Sequence, residues 1–231
     1  MRQRLDDLVR FYALMERLEG RLGGRRLLSA CNGRAPWPLR GVYFFMEPGE
    51  ERSDSGAGLR VARVGTHALT EGSSTTLWKR LSQHKGTRTS GGGNHRGSIF
   101  RLLVGLTLVK DGAFTCPTWG VNNSAPREIR EAERALECAV STVIGAMPFV
   151  WLAADDAPGP ASVRGYIERN SIALLSNLGK APLDPPSAQW RGHGCDRGER
   201  VRNSGLWNQR HVDETYDPAF LDVLSDLVER A

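Results

Sequence analysis

The chain has no CxxC pair, no internal repeat, no low-complexity tract and no apolar run approaching the ~20 residues that span a bilayer. Each absence removes a class of protein. Scattered as they are, Cys31, Cys116, Cys138 and Cys195 argue against a zinc ribbon or a disulfide framework, and His193 beside Cys195 lacks a second ligand pair. The opening MRQRLDDLVRFYALMERLEG carries charge throughout and lacks a signal peptide's apolar stretch, which predicts a cytoplasmic protein with reduced thiols and no membrane partner. What remains is a globular composition: 231 residues, 40% hydrophobic and 25% charged, enough for one sizeable domain or a small one with elaborations. The net charge of +5 favours a polyanionic partner without establishing one.

Apolar spacing of three and four through Leu5, Leu8, Phe11, Leu14, Leu18 and Leu22 predicts a helix over 3–22, stopped by Gly23-Gly24. The short apolar run at 41–46 and the alternating stretch at 59–64 read as two strands of an antiparallel hairpin, joined by the polar turn EPGEERSDSGAG. A helix follows over 75–84, with Thr75 or Thr76 as its cap and Leu77 and Leu81 on one face. After the glycine-rich SGGGNHRGS, the segment 99–109 reads equally as helix, strand or both. Helices are predicted at 126–145, 163–178 and 218–230, with a strand at 149–153.

Hydrolysis of a phosphodiester requires a deprotonated water, a neutralised phosphate and a stabilised leaving oxygen. Tyr43 on the first strand, Arg63 on the second, and Arg80 and His84 one turn apart on the helix bring a phenol, cations and an imidazole within reach of one phosphate.

These same residues resemble the signatures of the GIY-YIG nuclease superfamily. Gly41-Val42-Tyr43 matches the first signature, and Arg63-Val64-Gly65 aligns with the second. Arg80 and His84 in LWKRLSQHKG match the family's arginine followed four residues later by histidine or tyrosine. Glu168 in RGYIERNSIALLSN matches its metal-binding glutamate, and Asn177 the asparagine that often follows. One position departs: Arg63 stands where the family has its second tyrosine, and a guanidinium there would favour the phenolate of Tyr43 and bind phosphate in bidentate fashion. The resemblance implies an α+β fold, a small, mainly antiparallel sheet flanked by helices. It would comprise an N-terminal helix and linker (1–36), a nuclease core (37–180) and a C-terminal helical extension packed on the core (181–231).

The resemblance further implies a Mg²⁺-dependent endonuclease acting on DNA, with Mn²⁺ as a substitute ion and a homodimer if both strands are cut. Tyr43 would be the general base or hold the water, Arg80 would stabilise the transition state, Glu168 would bind the metal, and His84 would orient water or phosphate. Glu133 and Glu137 are alternative carboxylates. His67 follows the second strand as a phosphate or metal contact or a loop cap. Lys79, Lys85, Arg88, Asn94, His95 and Arg96 supply basic and polar groups suited to DNA phosphates. Arg202 and Asn208 offer side chains that read base edges, though such residues equally serve ordinary loops. A catalytically degenerate nucleic-acid-binding module of the same fold stays open beside the enzyme.

Overall fold

The computed structural model describes residues 2–87, 92–197 and 199–231. Among them are seven α-helices and one four-stranded antiparallel sheet, an α+β arrangement. The strands are β1 (Arg26–Leu27), β2 (Gly41–Glu51), β3 (Leu59–Gly65) and β4 (Pro148–Ala153), in the spatial order β1-β4-β2-β3. The helices are α1 (Arg2–Arg21), α2 (Leu77–Lys85), α3 (Ile99–Lys110), α4 (Arg127–Gly145), α5 (Val163–Leu175), α6 (Glu199–Ser204) and α7 (Phe220–Glu229).

The period-2 alternation of β2 divides the core in two. Val42, Phe44 and Met46 pack with Leu8, Phe11 and Leu18 of α1, Ile167 of α5 and Leu224 of α7. Tyr43 and Phe45 face the other way, onto Leu77 and Leu81 of α2, Phe100 of α3 and Val140 of α4. Helices cover both faces, and α1 and α7 share the cluster that buries the sheet's first face.

Three features depart from the sequence reading. The turn expected at 47–58 is shorter, because β2 runs on to Glu51. The ambiguous segment after the glycine-rich loop is a helix, α3, capped by Ser98, whose side chain accepts the N–H of Arg101. Finally, β3 is not a uniform alternation. Met46 faces Val61 while Phe45 faces Arg63, so Ala62 is the extra residue of a β-bulge. The bulge turns Arg63 onto the face of Phe45 and Tyr43; the purely alternating pattern gave no hint of it.

The free edge of β3 is covered by the C-terminal segment. Trp207 donates its N–H to the Ala62 carbonyl at 2.8 Å. The Asn208 amide accepts from Val64 N–H at 3.2 Å and donates to Val64 O at 2.9 Å, completing the edge as a strand would.

Candidate active site

Both signature glycines are dictated by close approach. A Cβ on Gly41 would lie 2.4 Å from the Leu152 carbonyl oxygen of the adjoining strand. A Cβ on Gly65 would lie 2.4 Å from Cζ of Tyr43, whose ring crosses directly over it. Gly65, not Arg63, is therefore the residue opposite Tyr43; Arg63 faces Phe45, two residues along on the same side of the sheet.

The Tyr43 hydroxyl and Nε2 of His84 share a hydrogen bond of 2.7 Å, and His84 Nδ1 shares another of 2.7 Å with Ser98 Oγ. The imidazole is fully buried. Burial, with Arg80, Arg63 and Arg101 adding to it, holds its pKa well below the usual histidine value, so at neutral pH the ring is uncharged. One ring nitrogen then donates and the other accepts, which suits a relay between two hydroxyls. Arg101 donates to the His84 carbonyl at 2.9 Å and is itself clamped by Glu137. His84 was expected to orient water or phosphate; in the structure both its nitrogens are bonded to side chains, those of Tyr43 and Ser98.

Arg63 is buried, and its Nη1 donates to the Trp207 carbonyl. Its Nε has no partner, and the guanidinium lies 5.4 Å from the centre of the Phe100 ring. Burial lowers its pKa, against the opposing pull of Tyr43 and Glu168. With one arm committed to the protein, it does not present the open fork that bidentate phosphate binding needs. Arg80 is half-exposed, resting on Gln83 Oε1 at 2.9 Å and the Gly97 carbonyl at 3.2 Å, and it can reach a ligand.

Glu168 lies half-buried on α5. Its Oε1 accepts the Thr66 N–H at 3.1 Å, which ties it to the end of β3. Burial raises its pKa while Arg63, His211, the Thr66 amide and Arg80 oppose the rise. Among the described residues no Lys, Arg or His forms an ion pair with it. Tyr43, Arg63, Arg80, His84 and Glu168 thus form one electrostatic neighbourhood, since Arg63 feels Tyr43, Glu168 and Arg80, and His84 feels both arginines.

A cage of three or more His, Cys, Asp or Glu side chains is absent among the described residues. A single accessible carboxylate fits Mg²⁺ or Mn²⁺ nonetheless, because magnesium keeps most of its waters and takes one or two carboxylates together with substrate phosphate oxygens.

The other sequence candidates divide sharply. His95 and Arg96 were expected in a DNA-contacting loop, but the carboxylates of α4 draw them inward. His95 stacks on Trp119 with centroids 3.8 Å apart, accepts the Gly120 N–H on Nε2 and donates from Nδ1 to Glu137. Arg96 forms a two-armed pair with Glu133 at 2.6 and 2.8 Å. Glu133 and Glu137 are thereby spent on arginines: burial would raise their pKa values, but these hydrogen bonds bring both down. Asn94 is exposed and accepts the Arg96 N–H. Asn177 is held by Arg4 and by both backbone groups of Leu183. Arg202, half-exposed, donates to the Cys195 carbonyl from one arm at 2.8 Å, and Asn208 is buried with its amide bonded to Val64 of β3. Lys85 donates to the Cys31 carbonyl, Lys79 is exposed on α2, and Arg88 lies outside the described residues.

His67 is buried with no hydrogen bond at either nitrogen; burial and then Arg164 push its pKa down to about 4. Sequence reasoning missed Ser98, which a capping serine ahead of an apolar run would have flagged.

A family model described as GIY-YIG domain matches residues 2–231. No curated protein and no solved structure matches the chain.

Proposed function

The chain belongs to the GIY-YIG domain family, and from that premise we propose that it is a metal-dependent endonuclease cutting DNA at Tyr43, Arg80 and Glu168, in a restriction or repair setting. The observation that carries this reading is the buried Tyr43–His84 bond of 2.7 Å beside two arginines and a carboxylate that has no ion-pair partner.

In this reading the Tyr43 oxygen takes the proton of the attacking water while its own proton passes to His84 Nε2. Neutral His84 is a poor acceptor chiefly because it is buried, with Arg80, Arg63 and Arg101 adding to the effect. A bound phosphodiester would offset the share that Arg80 contributes. Arg80 neutralises charge developing on the phosphate, a contact whose loss typically costs about 100-fold or more. Glu168 would hold the divalent ion, which supplies Lewis-acid stabilisation to the phosphate and leaving oxygen. Arg63 keeps the Trp207 segment docked and balances Glu168. Cutting both strands from one such site requires a homodimer or two successive nicks.

A second reading, a nucleic-acid-binding module without catalysis, draws on Arg63, which fills the place of a tyrosine with a buried, carbonyl-bound guanidinium. Metal titration separates the two. The enzyme nicks supercoiled plasmid only with Mg²⁺ or Mn²⁺, and Arg80→Ala slows it at least about 100-fold. Salt-dependent DNA affinity with no cleavage at any metal concentration would establish the binder instead.

A further inference from the structure

A cavity of about 480 Å³ is lined by Leu22, Arg26, Leu27, Cys31, Trp37 and Trp151 among others. Its size falls within the ~300–1,000 Å³ range of ligand sites. Trp37 stacks on Trp78 of α2 with centroids 5.2 Å apart and tilts against Trp151 at 4.7 Å. All three indoles are only half-buried, and Leu27 at the rim is 45% exposed. The lining contains arginines and no carboxylate. Arg26 is exposed and has no side-chain hydrogen bond or ion pair among the described residues.

Half-exposed indoles with a cationic rim match a flat nucleobase on an anionic backbone, since every base has a face to stack and a phosphate to pair. We propose that this cavity binds an unpaired nucleobase of the substrate strand, stacked on Trp37 and Trp151 with its phosphate held by Arg26. The proposal rests on reading the chain as a nuclease and adds a substrate class, DNA with unpaired nucleotides beside the cut. The placement supports it. Trp151 is the direct strand partner of Tyr43, so one wall of the cavity stands on the strand pair that carries the candidate site.

The test needs no cleavage. Fluorescein-labelled dT12 and a blunt 12-base-pair duplex are titrated into the full chain in EDTA, reading anisotropy and tryptophan quenching. The expected result is quenching by dT12 and a fall of about tenfold or more in dT12 affinity, relative to duplex, for Trp37→Leu. Arg26→Glu, which changes an exposed side chain with no intramolecular partner, is expected to weaken dT12 several-fold even if Trp37→Leu does not fold. Unquenched tryptophan, or wild-type dT12 affinity in Arg26→Glu, overturns the proposal. Plasmid nicking by the wild type is read separately: its failure alongside Arg26-dependent dT12 binding retires the nuclease reading and leaves the nucleobase site standing.

Discussion

Gly65→Ala places a methyl where the Tyr43 ring already lies. Comfortable carbon–carbon contact is about 3.5–4.0 Å, whereas the new Cβ would sit 2.4 Å from Tyr43 Cζ and 2.5 Å from Cε2. The overlap exceeds about 1 Å, and the ring has little room to yield. Phe45 meets it edge-on at 5.7 Å, and its hydroxyl is bonded to His84 at 2.7 Å. Overpacking of this kind costs about 1–3 kcal/mol. In a chain this long that is a fall in Tm of about 2–12 °C. Displacing the reacting phenol by about 1 Å costs about 100-fold in rate. Circular dichroism melting gives the first quantity, and plasmid nicking well below the variant's Tm gives the second. Gly20→Ala serves as control, since a Cβ there meets nothing within 4 Å. A Gly65→Ala protein with wild-type Tm and wild-type rate would refute both the packing and the role of Tyr43.

Glu168→Gln removes a carboxylate whose folded pKa is raised, chiefly by burial. Ionisation of such a group opposes folding once pH passes its unfolded value, so without metal the variant melts higher than wild type at pH 8 and equally at pH 4, by calorimetry. His67 and His84 have depressed folded pKa values and stay neutral while the unfolded chain takes up protons. Stability is therefore complete above about pH 6.5 and is lost as pH falls toward the His67 value of about 4; His67→Gln flattens that part of the Tm–pH curve. Arg96→Met strands Glu133 without its buried partner and costs about 3 kcal/mol, seen in denaturant melts. Because Arg96 is committed to Glu133, the salt slope of DNA affinity stays unchanged, whereas a phosphate contact would reduce it by about 1.

Local pattern made the hairpin, α1, α2 and α4 legible, because each depends on a period of two or 3.6 that its own residues display. The same local reading brought Tyr43, Arg63, Arg80 and His84 together as candidates, while Glu168 came from the family resemblance. It missed what depends on distant partners. The bulge at Ala62 and the docking of Trp207 and Asn208 on β3 join segments about 145 residues apart in sequence. The glycine-rich loop read as a DNA contact because its composition is basic and polar, yet Glu133 and Glu137 stand one turn apart on the buried stripe of α4 with Leu136 and Val140. Two carboxylates there demand partners: Arg96 pairs with Glu133, and Arg101 together with the ring N–H of His95 with Glu137. That signal was present in the sequence.

Incubation of supercoiled plasmid and Mg²⁺ with wild type, Tyr43→Phe and Glu168→Gln tests the central claim most directly. The account predicts nicked circles from the wild type and a loss of at least about 100-fold in both variants. Equal nicking by all three proteins, or none by a folded, DNA-binding wild type, contradicts it.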